Sequence, residues 1–245
     1  MSNKLLTESL SAPLDGVTTA KVDINSGPGN LTIDELPGGE PLLASGTLEY
    51  FEKQGRPTRS VSADHGQAAL TLQGGRTGHP WFRFPWAACN GATDWQVHLN
   101  PTVSSDLTAH TDGGNVTPNL AGMTVSHLAA DTGGGNMAVV LPDHAANLSV
   151  AARTGGGNVT VAIGSDTTGS TTVTAASGAG NVVVRVPRGL AARVHATSGL
   201  GKVTVAPGLS KLDGQTYQSP DYDEAANKVE ITVHSGAGNV SVTTT

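Results

Sequence analysis

From about residue 20 the chain alternates apolar and polar positions in short runs, and the runs come in pairs joined by a Gly-rich pentapeptide. The pentapeptide reads SGPGN at Ser26–Asn30, TDGGN at Thr111–Asn115, and TGGGN at Thr132–Asn136 and again at Thr154–Asn158. SGAGN follows at Ser177–Asn181, SGLGK at Ser198–Lys202 and SGAGN at Ser235–Asn239. Counted from the last motif residue, positions −8 and −6 are apolar: Leu107 and Ala109, Leu128 and Ala130, Val150 and Ala152, Val173 and Ala175, Val194 and Ala196, Ile231 and Val233. Positions +1, +3 and +5 are apolar as well, as in Met137, Val139, Leu141 and in Val182, Val184, Val186. A period of two on both sides predicts two β-strands per unit, each with one face inward, joined at a corner.

From Asn115 the markers advance by 21, 22, 23 and 21 residues, then by 37; the first step, from Asn30, is 85. Two strands and two corners in about 21 residues predict an all-β fold, a single-stranded parallel β-solenoid (β-helix) with Gly-x-Gly-Asn corners. Gly27, Gly29, Gly114, Gly133, Gly135, Gly155, Gly157, Gly178, Gly180, Gly199, Gly201, Gly236 and Gly238 are its candidate corner glycines. There the chain must either adopt positive φ or approach another backbone very closely. Asn30, Asn115, Asn136, Asn158, Asn181 and Asn239 are expected to stack as a hydrogen-bonded column, broken at Lys202. Pro142–Asp143, Gly164–Ser165, Pro187–Arg188 and Pro207–Gly208 mark the second corner.

One domain over residues 1–245 is expected: coils with long loops over 14–114, regular coils over 115–208, a loop excursion over 209–228 and a final coil over 229–245. In the long-looped part the candidate strands are Leu42–Tyr50, Arg59–Ala63, Ala68–Gln73, Asp94–Leu99 and Asp106–His110. No helix is expected. The last coil ends on a bare SVTTT strand, an edge that could template end-to-end assembly.

Composition fits this picture. Of 245 residues 32 are Gly, and Trp, Tyr and Phe number three each. Repeated Ala at position −6 implies sheets too close for large side chains. With one cysteine, Cys89, neither a disulfide scaffold nor a thiolate zinc site can be built. A net charge of −6 without a basic stripe argues against nucleic-acid binding. No apolar run reaches the ~18 residues of a transmembrane span, and the first residues lack the pattern of a secretory signal. From the residues alone the expectation is a soluble, cytoplasmic chain. Charge is uneven: residues 1–49 carry seven acids and two bases, 150–211 one acid and six bases, and 212–245 five acids and one base. If sequence order is axial order, this becomes a dipole along the solenoid.

The Ala20–Glu35 strand–GPGN–strand unit, the Leu42–Tyr50 strand, Asp94–Trp95 with Leu99–Pro101, and the serial GGGN and GAGN corners running into Val-rich strands carry a family resemblance. The chain resembles the bacterial envelope family that groups the C-terminal domain of the cell-wall-antibiotic-response protein LiaF with toast-rack and putative-adhesin domains of unknown function. The resemblance implies a β-helix without catalytic activity, associated with envelope stress sensing or surface adhesion, and it supplies no catalytic residues.

The residues themselves offer no catalytic set. The P-loop pattern fails, because Gly201–Lys202 is followed by Val203 and Ala196 stands where the first Gly belongs; no helix follows any Gly turn to make a dinucleotide site. Calcium-binding β-rolls need carboxylates at the corners, and this column is Asn. Asp34–Glu35 and Asp221, Asp223, Glu224 are the only tight acidic groups, the latter in the loop excursion, and they read as solvated faces and not as the paired acids of a glycosidase. The eight histidines form no regular column. Of five N-x-[ST] sequons, four are simply the corner Asn followed by an alternating strand, by-products of the repeat. No enzyme activity, cofactor, metal or small-molecule ligand is expected; the expected partner is a protein or a second copy.

One segment stands apart. Trp81, Phe82, Arg83, Phe84 and Trp86 concentrate aromatics in a chain otherwise poor in them. They are assigned either to a cap over a sheet or open end, or to anchors for a partner, with stacking on sugar rings as a further option. Trp95, in an alternating strand, is assigned to the core or the edge of that cap.

Overall fold

A computed structural model of the chain describes residues 3–75 and 92–245. The first strands are β1 (Leu5–Pro13), β2 (Thr19–Asn25), β3 (Gly29–Glu35), β4 (Leu42–Phe51), β5 (Thr58–Asp64), β6 (Gln67–Gln73) and β7 (Thr93–Leu99). The regular part holds β8 (Ser104–Thr111), β9 (Val116–Pro118), β10 (Val125–Thr132), β11 (Met137–Val140), β12 (Ser149–Thr154), β13 (Val159–Ala162), β14 (Ser170–Ser177) and β15 (Val182–Val186). The last are β16 (Ala191–Ser198), β17 (Val203–Val205), β18 (Ser210–Lys211), β19 (Thr216–Gln218), β20 (Lys228–Ser235) and β21 (Val240–Thr244). A three-residue 3₁₀ turn at Glu52–Gln54 is the one helical element among the described residues.

The strands form two large sheets of mostly parallel strands. Sheet one has ten, in the order β1-β4-β7-β3-β9-β11-β13-β15-β21-β17; sheet two has eleven, in the order β18-β19-β16-β20-β14-β12-β10-β8-β2-β6-β5. Each Gly-rich corner joins a strand of sheet two to one of sheet one, making a rung. Equivalent apolar positions of successive rungs fall in register. Leu107, Leu128, Val150, Val173, Ile231 and Val194 make one inward row of sheet two. Val116, Met137, Val159, Val182, Val240 and Val203 face them from sheet one. All but Val203 are buried, each contributing about 1.5–3 kcal/mol relative to exposure. The Ala column at position −6, from Ala109 to Ala196, is buried too, and its small side chains let the two sheets lie close.

Several expectations change. Rungs do not stack in sequence order: the final rung, β20 and β21, inserts between β14/β15 and β16/β17. The first, β2 and β3, inserts between β6/β7 and β8/β9. The SVTTT strand is therefore no bare edge, because β21 pairs with β15 on one side and β17 on the other. Axial dipole reasoning fails for the same reason. Acids and bases of the last hundred residues share one end, where Arg193 lies in register with Glu230 and bonds Asp223.

Antiparallel strands replace some expected coils. β4 runs antiparallel to β7, and β5 to β6, instead of each starting a coil. β1, which the alternation did not announce, pairs antiparallel with β4. The excursion over 209–228 contains β18 and β19, antiparallel to each other and to β16. Trp95 lies in the core at 1% exposure, in register with Leu31 and Leu48, and its indole Nε1–H donates to the Glu49 carbonyl at 2.9 Å.

The inserted order has a measurable consequence. Ile231→Ala, in the last sequence unit but between two rungs, is expected to cost about 3 kcal/mol in urea denaturation, as a fully enclosed core truncation does. Val203→Ala, on the outermost rung, should cost about 1 kcal/mol or less. Equal costs would contradict the order.

Candidate functional site

The corners form one continuous ladder. The Oδ1 of each column Asn accepts from the backbone N–H of the next rung's marker: Asn30 from Asn115, Asn115 from Asn136, Asn136 from Asn158, Asn158 from Asn181, and Asn181 from Asn239, at 2.9–3.0 Å. Asn239 then accepts from the Lys202 N–H at 3.0 Å. The bond runs from side chain to backbone; one amide-to-amide contact joins it, Asn158 Nδ2 to Asn136 at 3.3 Å. Lys202 does not break the column but ends it, because its rung is outermost and no further N–H needs an acceptor. At the other end Asn30 donates to the Asp94 carboxylate at 2.7 Å.

A second ladder lies beneath, which the sequence reading passed over although its signal, Ser or Thr opening every motif, was in view. Thr132 Oγ1 donates to the Gly114 carbonyl of the neighbouring rung at 2.7 Å and accepts from the Gly135 N–H at 3.3 Å. Thr154 repeats this with Gly135 and Gly157. Ser177, Ser235 and Ser198 each donate at 2.7 Å to the rung beside them. Thr111, Thr132, Thr154, Ser177 and Ser235 are buried, so each bond is kept from water, and a typical one contributes about 1 kcal/mol net.

Close approach, not positive φ, explains the glycines of the regular corners. A Cβ on Gly135 would stand 1.9 Å from the Gly114 carbonyl oxygen. The middle position is open: a Cβ on Gly134 meets nothing within 4 Å, and Pro28, Ala179, Leu200 and Ala237 occupy its equivalents.

Side-chain clusters brace the ends. Arg56 grips Glu8 through Nε at 2.7 Å and Nη2 at 2.9 Å, which raises the guanidinium pKa further; Glu8 points inward between Leu6 and Leu10 of β1. At the other end Arg193 bonds Gln218 at 2.7 Å and Asp223 at 2.9 Å, and lies 4.3 Å from the centre of the Tyr222 ring. Burial, then the Glu230 charge, push the Tyr222 hydroxyl up, with Arg193 opposing. The N–H groups of Gln215 and Thr216 hold the Asp213 carboxyl below its usual range. Beside this cluster a cleft of about 320 Å³ opens between the Pro187–Leu190 and Pro207–Leu209 turns, with Arg188 and Asp221 in its lining.

The structure thus gathers the corner residues into one column and assigns them to holding rungs together. Trp81, Phe82, Arg83, Phe84 and Trp86 lie outside the described residues. No group of three or more metal-ligating side chains occurs among the described residues. None of the described helices is long and apolar enough to cross a membrane.

Comparisons place this geometry. Residues 1–162 match the family model described as the N-terminal domain of toast-rack, and residues 167–242 match that of the cell wall-active antibiotics response protein LiaF, C-terminal. The matches meet inside continuous sheets, since β13 pairs with β15 across the boundary. No curated protein matches. Among solved structures, a putative cell adhesion protein from Clostridium sporogenes shares the fold, with a TM-score of 0.66 at 20% identity over 99% of this chain and 100% of that one. A putative adhesin from Bacteroides fragilis gives a TM-score of 0.31 at 9% identity over 98% of each chain. Another from Parabacteroides distasonis gives 0.30 at 10% identity, over 98% of this chain and 97% of that one.

The two kinds of corner glycine are separable by mutation. Gly135→Ala is expected to cost about 3 kcal/mol, because the clash is with backbone that cannot rotate away. Gly134→Ala should stay within about 0.5 kcal/mol of the parent or gain slightly from a less flexible unfolded chain. Thermal melts followed by circular dichroism read both, and similar losses would show that the corners need flexible backbone instead.

Proposed function

The chain belongs to the toast-rack family, and on that premise we propose that it is a non-enzymatic β-solenoid scaffold and interaction domain, working at a bacterial cell envelope in stress sensing or adhesion. Its coils are about 21 residues long with Gly-x-Gly-Asn corners. One observation carries the reading: the repeated polar side chains, which are the sequence's only recurring chemistry, face neighbouring rungs and hold them. On sheet one the outward side chains of the in-register row Thr117, Ala138, Thr160, Val183 and Ser241 are short and uncharged. Such a surface suits broad contact with a protein. The LiaF match, named for the response to cell wall-active antibiotics, supports the envelope setting.

Carbohydrate binding is the competing function. Trp95 cannot serve it, being enclosed in the core, so it would rest on Trp81 and Trp86.

Surface plasmon resonance with the immobilised chain and bacterial envelope fractions separates the two. Saturable binding that disappears when the fraction is treated with protease is expected, unchanged by Trp81→Ala and Trp86→Ala. Binding that survives protease and falls with those substitutions would transfer the function to sugar recognition. Release of reducing ends from envelope polysaccharide would overturn the non-enzymatic reading.

A further inference from the structure

Sheet two outruns sheet one at the last rung. β16 and β17 face each other there, but sheet two continues through β19 and β18, whereas sheet one stops at β17. The inward row that reaches Val194 therefore runs on in register to Tyr217 and Lys211, with no strand of sheet one opposite them among the described residues. Residues 206–209 cross from β17 to β18 and bound the far end of this step. The step leaves a slot of strand width beside β17, with the inner face of β19 as its floor.

The slot is lined for a polypeptide backbone. The Lys202 carbonyl and the Ala206 N–H bond β21, so by the alternation of a parallel ladder the N–H and C=O groups of Val203 and Val205 point into it. Of the six half-buried apolar residues packed against the core, five gather at this end: Leu190, Val203, Val205, Leu209 and Tyr217. The core is open here. Unpaired charge at the mouth is positive, since Lys202 and Lys211 are exposed and make no ion pair among the described residues. The neighbouring acids are engaged, Asp213 by the N–H groups of Gln215 and Thr216, and Asp223 by Arg193 and Gln218. Lys202 also states what its neighbour must bring. At the other marker positions an Asn Oδ1 accepts the next rung's N–H, whereas a lysine only donates and asks for an acceptor. The opposite end of the column shows such a pairing, where Asn30 donates to the Asp94 carboxylate of the adjoining strand β7.

We propose that the slot receives one extended strand of another protein, parallel to β17, with an acidic side chain beside Lys202 and apolar side chains beside Val203 and Val205. Parallel is the direction of every pairing from β7 to β17 in sheet one. In that register the N–H and C=O groups of the two valines make four main-chain bonds, and the incoming apolar side chains cover Tyr217 and extend the inward rows by one strand. A single strand fits because β19 and β18 already supply the sheet-two side of this position. A further rung of the chain's own kind fits less well, since its marker N–H would meet a lysine in place of the Asn acceptor.

The inference rests on the interaction-domain reading and names the chemistry of its partner; its test uses the purified chain and a synthetic peptide, so a failure here leaves the envelope-binding experiment untouched. The probe is Ser-Asp-Val-Thr-Val-Thr-Ser, blocked at both ends and titrated into isotope-labelled chain while amide chemical shifts are followed. Saturable shifts centred on Lys202, Val203, Val205 and Tyr217 are expected. Val205→Pro removes an N–H aimed into the slot and none of those bonded to β21, so it should weaken binding by about tenfold or more while leaving the thermal melt within a few degrees. Lys202→Glu should weaken it as well, and a peptide with Lys in place of its Asp should bind that variant more tightly than the parent. No shift at millimolar peptide, shifts away from β17, binding indifferent to Val205→Pro and to the charge swap, or equal binding of the reversed sequence would overturn the proposal. So would concentration-dependent shifts at β17 without peptide, which would give the edge to a second copy.

Discussion

Backbone-to-backbone packing at the corners is the constraint on which the rest depends. Rungs can lie one strand spacing apart along both sheets only if the chain turns between them without a side chain in the way. Glycine at the position before the marker removes the obstacle, and the Ser or Thr hydroxyl three residues earlier then ties the neighbouring carbonyl into place. The Asn amide occupies the next backbone N–H along the column. Tight spacing in turn demands thin contents, hence the Val and Ala columns and the poverty in aromatics. Trp95 is enclosed among the larger Leu and Ile side chains of the first rungs.

Much of this was legible in the residues. Alternation located the strands of every regular rung, the pentapeptide located the corners, and Ala at position −6 announced the thin core. The order of rungs was not legible, for a physical reason: every rung offers the same Val and Ala columns and the same corner ladder, so any two can be neighbours. Nothing in a uniform repeat says that Asn239 must follow Asn181 and precede Lys202. The hints were indirect, a long step of 37 residues that lets the chain leave one spacing vacant, and a lysine where the column needs no further acceptor.

Strand direction was hidden for a related reason. A period of two marks a half-buried strand whether its neighbour is parallel or antiparallel, so β4 and β5 read as coils although they close the stack. β1 was missed because Glu8 interrupts its inward apolar positions, and that charge is tolerated only where Arg56 covers it. The features that defeated the pattern therefore mark the ends, where a repeat must stop. The repeated residues hold the rungs together, and the non-repeated ones close the ends.

Residue-resolved hydrogen–deuterium exchange tests the central claim, that corner bonding stacks the rungs in a permuted order. The amides of Ile231, Val233 and Asn239 should exchange as slowly as those of Val150, Val173 and Asn158, since all lie between two rungs, while Val203 and Val205 exchange fastest among the corner-flanking strands. Fast exchange through residues 228–244, as a frayed terminal coil would show, would contradict the account.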